Sequence, residues 1–154
     1  RFHWWQHHTA GAPSRDAVAA TLASGTAPLQ EVVAYGQRPS SRGLVLMDAP
    51  GYEAVAATGQ VAAGANLVTV LTGQDSGFGA AGAPTVKLAA DSALYQRLRE
   101  DLDLDCGAAA GEAGPLAERI YRQWLAHASG EPTQAESLGL GEEGFAPWPI
   151  GVMA

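Results

Sequence analysis

Three short runs dominated by apolar residues constrain the fold more than any other feature of this sequence. They span residues 44–47, 66–71 and 85–88. Apolar runs of this length without strict alternation are typical of strands that are covered on both faces, as in parallel sheets. An alanine-rich segment over residues 53–63 lies between the first two runs and predicts a helix that ends at Gly64. The pattern therefore predicts strands that alternate with helices.

Other segments extend this alternation along the chain. Residues 29–35 form a further apolar stretch that fits either a strand or a helical turn. Asp91 is expected to cap a helix that runs to about Leu102, and Pro115 suits the first turn of another helix. The apolar stripe expected on that last helix is Leu116, Ile120 and Trp124. Since helices that cross between parallel strands pack on the faces of the sheet, we predict an α/β fold. It would consist of a small parallel sheet with flanking helices in Rossmann-like or flavodoxin-like layers.

Composition narrows the class of protein and its partners. The chain has 154 residues, a 47% hydrophobic fraction and a net charge of −7, which fits one folded domain with a substantial core. We divide the chain into two parts. Residues 1–28 form an N-terminal segment, which we interpret as a remnant of an upstream domain, and residues 29–154 form an α/β domain.

The negative charge argues against nucleic acid or an anionic membrane as the main partner. No apolar stretch is long enough to span a membrane. Cys106 is the only cysteine, so the chain cannot form an internal disulfide. This favours a reducing compartment, and we therefore expect a cytoplasmic protein.

A glycine-rich loop directly follows the second apolar run, over residues 72–79. Glycines in this place allow backbone N–H groups to converge on a carboxylate or a phosphate, and nearby hydroxyls add donors. The predicted substrate-binding residues are Thr72, Gly73, Gln74, Ser76 and Gly77. The loop lacks both the phosphate-loop pattern and the dinucleotide-binding pattern. The alternative interpretation is a flexible surface loop without a ligand.

Two charged residues near the predicted strand ends are candidates for catalysis. Lys87 can bind a carboxylate or act as a base, whereas the alternative is an edge-strand lysine that opposes aggregation. Asp48 follows the first apolar run and can take a metal or a proton, whereas the alternative is an aspartate that starts a turn or a helix. Ligands of parallel sheets bind beyond the carboxyl ends of the strands. On that basis we name Lys87 and Asp48 as candidate catalytic residues.

Several stretches of the sequence resemble the carboxy-terminal region of the altronate and galactarate dehydratases, a family of sugar-acid dehydratases. The resemblance covers about residues 29–154 and keeps the order found in the family. The stretches that carry it are residues 43–66, 72–79, 84–91, 101–107, 128–133 and 148–151.

The resemblance implies a hydro-lyase that removes water from a small sugar acid and gives a 2-keto-3-deoxy acid. It also implies a divalent metal, most often Fe²⁺, for which the sequence assigns no ligands. The glycine-rich loop and Lys87 would then bind the substrate carboxylate.

The sequence departs from the family at three places that affect function. One is residues 89–91, which read Ala-Ala-Asp where the family has Ala-Thr-Asn. Gln74 and Asp75 stand where the family usually has Arg and Gly, and residues 9–24 lack the family's Pro-Ser-Pro-Gly-Asn-Lys-Ala-Gly-Gly type of segment. We therefore expect the catalytic surface to be incomplete in this chain alone. The alternative function is a non-catalytic module that binds carboxylates or takes part in assembly. The apolar segments 1–8 and 145–150 indicate a homo-oligomer or association with missing family domains.

Overall fold

The computed structural model describes residues 25–50, 52–74, 78–80, 82–107, 113–140 and 145–148. The strands are β1 (Leu29–Val33), β2 (Leu44–Met47), β3 (Val68–Thr72), β4 (Thr85–Ala89) and β5 (Leu104–Asp105). The helices are α1 (Glu53–Ala62), α2 (Ser92–Arg97), α3 (Ala113–Ala128) and α4 (Gln134–Ser137). The predicted α/β class is confirmed, and the stretch that fitted either a strand or a helical turn is the strand β1.

The described strands form two small sheets, in which every pair is parallel. One sheet holds β1 and β2, and the other has the order β3-β4-β5. The sequence interpretation placed the three apolar runs side by side in a single sheet, and this is wrong for β2, which pairs with β1. Apolar runs mark strands but carry no information about the partner, because parallel partners are joined through long crossovers.

Strand β4 lies at the centre of the core, and all five of its residues are buried. On one face Val86 and Leu88 pack with Leu104 and with Leu116 and Ile120 of α3. The expectation of cover on both faces is correct for β4 but wrong for β2 and β3. The residues of β2 are only half-buried. In β3 the exposed residues Thr69 and Leu71 alternate with buried or half-buried ones, because successive side chains point to opposite faces and one face is uncovered.

Helix α1 has the bounds that the sequence predicts, and it packs closely against the end of the β1 segment. Gly64 has a φ of +106°, the left-handed conformation that commonly ends a helix. The ring of Tyr35 lies on Gly59, where a Cβ atom would overlap it, and the Tyr35 hydroxyl donates to the Val55 carbonyl at 2.8 Å. The absence of a side chain at Gly59 therefore lets the tyrosine anchor α1.

Residues 145–148 are held by two contacts, one with helix α1 and one with Tyr35. The Ala146 N–H donates to Thr58 Oγ1 at 3.0 Å. The Trp148 ring meets the Tyr35 ring edge to face, with 5.2 Å between the ring centroids. This segment is therefore part of the packed domain, although Phe145 remains 67% exposed.

Helix α2 is shorter than the sequence predicts. Asp91 caps it as expected and accepts the Leu94 N–H at 2.8 Å, but the helix ends at Arg97 rather than near Leu102. The Asp101 N–H bonds to the Leu98 carbonyl at 2.9 Å and closes a turn. Leu102 is 1% exposed and reaches the core from that turn. The four-residue spacing of the leucines therefore indicated burial correctly but overstated the helix length.

The inward face of α3 follows Leu116 and Ile120, as predicted, but turns away from Trp124. Each four-residue step advances the helix by about 40° beyond a full turn, so Trp124 lies roughly 80° from Leu116. The buried face continues instead to His127, which is 4% exposed. Tyr121, Trp124 and Leu125 are 53%, 38% and 50% exposed. No helix among the described residues is long and apolar enough to cross a membrane.

Candidate functional site

The site forms at the carboxyl edge of the β3-β4-β5 sheet. The register pairs Val70 with Lys87 and Thr72 with Ala89, so β3 and β4 end side by side. The Ala90 N–H donates to the Thr72 carbonyl at 2.9 Å and joins the turn that leaves β3 to the end of β4. The predicted glycine-rich turn and the strand that carries the lysine are therefore neighbours.

The turn after β3 is closed by its own threonine. The buried Thr72 hydroxyl donates to the Gln74 carbonyl at 2.7 Å and accepts the Gln74 N–H at 3.3 Å. In the structure this hydroxyl organises the turn, whereas the sequence interpretation assigned it to the substrate. Ser76 and Gly77, also predicted to bind substrate, lie outside the described residues together with Asp75.

Gly73 is exposed in this turn and has no packing reason to be glycine. A Cβ atom built there meets none of the described residues within 4 Å, and the φ of Gly73 lies outside the left-handed region. Gln74 is exposed beside it. A glycine that neither close packing nor backbone conformation demands leaves open space for the approach of a small ligand.

Lys87 is the sole lysine of the chain, and its side chain is completely buried, with 0% exposure. It occupies the middle position of β4, two residues or about 7 Å before the strand ends. The interpretation as an edge-strand lysine is wrong, because β4 lies between β3 and β5. Since successive side chains alternate along a strand, Lys87 projects from the face opposite to Val86 and Leu88. Burial of a basic side chain is costly and rare, which makes this position a candidate for function.

Asp48 lies at the carboxyl end of the other sheet and is exposed. Its N–H donates to the Val33 carbonyl at 2.9 Å, which extends the pairing of β1 with β2. Tyr52, not Asp48, occupies the position before the first residue of α1. The two predicted catalytic residues are therefore carried by different sheets.

The carboxyl edge of this sheet continues through β5 and the residues after it, to which the sequence reasoning about chemistry gave no role. The Ser92 hydroxyl donates to Asp105 Oδ1 at 3.1 Å and links the start of α2 to β5. Gly107 lies against the backbone of Asp91, where a Cβ atom would come within 2.5 Å of the Asp91 Cα. The available signal was the stretch over residues 101–107, which contributed to the family resemblance without an assigned role.

Cys106 and the described acidic residues do not form a reactive or metal-binding centre. Burial raises the pKa of the Cys106 thiol, and the negative charge of Asp105 raises it further, while Arg119 acts in the opposite direction. Among the residues that the structure describes, no three His, Cys, Asp or Glu side chains group together to hold a metal. The described residues do not supply a set of iron ligands, so the Fe²⁺ expected from the resemblance stays a prediction and enters no step below.

Comparison with known proteins supports the family resemblance. The family model described as D-galactarate/Altronate dehydratase, C-terminal, matches residues 14–153. Altronate dehydratase of Bacillus subtilis strain 168 is 33% identical over 105 residues, which are 68% of this chain and 21% of the relative.

Two relatives from Escherichia coli strain K12 give the same result. Altronate dehydratase is 34% identical over 115 residues, 73% of this chain and 23% of the relative. Galactarate dehydratase (L-threo-forming) is 30% identical over 133 residues, 82% of this chain and 25% of the relative. The chain thus spans only about a fifth to a quarter of the length of these relatives.

Proposed function

Because the chain belongs to the D-galactarate/altronate dehydratase C-terminal family, we propose that it is the carboxy-terminal domain of a hydro-lyase that dehydrates a sugar acid. The substrate would be an acid similar to altronate or galactarate, and the product a 2-keto-3-deoxy acid. Two observations carry the proposal. One is the family match, and the other is the sole lysine, which is buried in the strand that neighbours the open glycine turn.

The proposed reaction needs three groups. A base removes the proton from the carbon next to the carboxylate, an electrostatic partner stabilises the enediolate-like intermediate, and an acid assists departure of the hydroxyl from the next carbon as water. The resulting enol then tautomerises to the 2-keto-3-deoxy acid. Lys87 is suited to the second role, since an ammonium group in a water-excluded site interacts strongly with a carboxylate. Asp48 stays a candidate for proton transfer. Because Asp48 follows β2 in the other sheet, this role requires a substrate that reaches the carboxyl ends of both sheets.

The proposal is tested with a chimera of the E. coli altronate dehydratase in which this chain replaces the segment that it matches. We call this the fused dehydratase. We expect dehydration of altronate or galactarate by the fused dehydratase with ferrous iron, and little or no turnover by the 154-residue chain alone. A folded fused dehydratase without turnover of either acid would contradict the proposal.

A second candidate function is a domain that binds carboxylates or supports assembly without catalysis. The observation that favours it is Gln74, an exposed neutral amide where the family usually has Arg. Calorimetry with small hydroxy acids separates the two functions, since binding without turnover in the fused dehydratase supports the second. The double variant Gln74→Arg with Asp75→Gly restores the family pattern, and unaltered acid binding in it would remove the basis for an anion site in this turn.

Replacement of Gly73 by alanine is expected to weaken acid binding about tenfold or more without lowering stability. The new methyl group enters the open space of the turn but meets no protein atom within 4 Å. Loss of backbone freedom in the unfolded chain makes the folded state more stable by up to about 1 kcal/mol. Calorimetry on the fused dehydratase measures the affinity, and thermal unfolding of the isolated chain measures the stability. Wild-type affinity in Gly73→Ala would show that no ligand approaches the turn.

The exposed side of α3 is the proposed contact with the rest of such a polypeptide. Tyr121, Trp124 and Leu125 expose an apolar surface. About three quarters of the length of each relative lies outside the segment that matches this chain, and it can supply the cover. We expect amide hydrogen exchange over Ala113–Ala128 to be slower in the fused dehydratase than in the isolated chain. Equal exchange in the two proteins would contradict this contact.

A further inference from the structure

Asp103 binds both polar backbone groups of Lys87, its N–H and its carbonyl oxygen. The Lys87 N–H donates to Asp103 Oδ2 at 2.7 Å, and the Asp103 N–H donates to the Lys87 carbonyl at 2.8 Å. These two bonds fix the backbone of the buried lysine to the segment that leads into β5. No sequence pattern had singled out Asp103 for a role of its own.

The short length of β5 explains why a side chain is needed here. Strand β5 has two residues, and they pair only with Leu88 and Ala89 of β4. Lys87 therefore lies beyond the end of its neighbouring strand, where its N–H has no strand carbonyl to bind. The Asp103 carboxylate takes the place of that carbonyl, and a bond to an ionised acceptor is roughly twice as strong as a neutral one.

The second oxygen of the same carboxylate binds a different element. Asp103 Oδ1 accepts the Gln134 N–H, the first backbone donor of α4, at 2.8 Å. Helix α4 packs against β4, and Ala135 in its first turn is 1% exposed. One carboxylate thus joins the strand that carries the lysine to the helix that covers the strand.

We propose that Asp103 is a positioning residue, which holds Lys87 at a fixed place by joining its peptide to α4. This inference rests on the proposed function of Lys87 in binding the substrate carboxylate. Without the Asp103 carboxylate, the Lys87 N–H would lose its partner on the side of β4 that faces β5, and the lysine would sample several positions near the sheet edge.

The test uses the full chain and the fact that Lys87 is its sole lysine. Lysine labelled with ¹³C at Cε gives one side-chain signal, and an amine-acylating reagent can modify only Lys87 among the side chains. In Asp103→Asn one oxygen becomes an NH₂ group, which cannot accept a backbone N–H. We expect broadening or splitting of the Lys87 signal and at least about tenfold faster acylation, corrected for the global unfolding rate.

Two control variants separate positioning from general stabilisation. Asp101→Asn removes a nearby negative charge and is expected to leave the Lys87 signal and the acylation rate unchanged. Gln134→Pro removes the N–H given to Asp103 at the first helical position, where proline is well tolerated. It is expected to increase Lys87 acylation less than Asp103→Asn, because it leaves the carboxylate on the Lys87 N–H, whereas the NH₂ group of the asparagine faces a backbone N–H in either orientation of the amide.

A loss of global stability in Asp103→Asn without any change in the Lys87 signal or its corrected acylation rate would overturn the inference. These readouts do not depend on turnover. An inactive fused dehydratase would therefore count against the proposed function and not against the positioning role. In an active fused dehydratase, Asp103→Asn is expected to lower kcat/KM about tenfold or more, and Asp101→Asn to leave it unchanged.

Discussion

Replacing Gly107 with alanine is expected to lower the free energy of unfolding by about 3 kcal/mol or more. A Cβ atom at this position would overlap the backbone N of Ser92 and lie within 2.5 Å of the Asp91 Cα. Both obstacles are backbone atoms, which cannot rotate away as a flexible side chain can. Thermal unfolding is the measurement, and for a chain of this size the expected decrease in Tm is roughly 6–12 °C.

Gly114→Ala is the matched control for that change. Gly114 lies in α3, and a Cβ atom there meets nothing within 4 Å. Alanine is a better helix former than glycine, but Pro115 disfavours a Cβ on the preceding helical residue, so this variant is expected to stay within about 1 kcal/mol of the wild-type stability. If Gly107→Ala matched Gly114→Ala in stability, the close approach of the β5 end to the start of α2 would be incorrect.

Replacing Lys87 with methionine is expected to weaken binding of the acid substrate by about 100-fold, or about 2.7 kcal/mol. Methionine is similarly long and flexible, so it fills the buried space but cannot bind a carboxylate. Calorimetry with altronate and galactarate on the fused dehydratase measures the affinity, and circular dichroism checks that the chain is folded.

Arg99→Met removes an exposed cation and serves as the comparison. It is expected to leave acid affinity within about twofold of the wild type, since an exposed charge is screened by water and salt. A folded Lys87→Met variant with wild-type affinity would exclude Lys87 from the substrate site.

The sequence predicts strands and caps where a local pattern suffices. The apolar run that ends at Met47 and the run that contains Lys87 are both strands. Gly64 ends α1, and Asp91 caps α2. Strand β5 was missed because it has only two residues and closely follows the stretch that was interpreted as a helix running to about Leu102. The division into two sheets also escaped, because parallel pairing joins residues far apart in the chain.

The candidate site was predictable in its position but not in its bonding. A glycine turn near the strand that carries the lysine was expected from the general location of ligands in α/β folds, beyond the carboxyl ends of the strands. The use of the Thr72 hydroxyl within its own turn, and of the Asp103 carboxylate on the Lys87 peptide, depends on atomic positions. Sequence patterns do not encode such contacts.

The parallel arrangement of the described strands has a consequence for how the chain acquires its structure. A parallel pair contains no hairpin, so each pairing must wait until a crossover segment closes on itself. The bonds of Asp103 to Gln134 and of Thr58 to Ala146 join residues 31 and 88 positions apart. High contact order of this kind slows the search for the native topology. During synthesis, the core around β4 can close only after α4 has left the ribosome. The last described helix is therefore needed to complete the packing of the central strand.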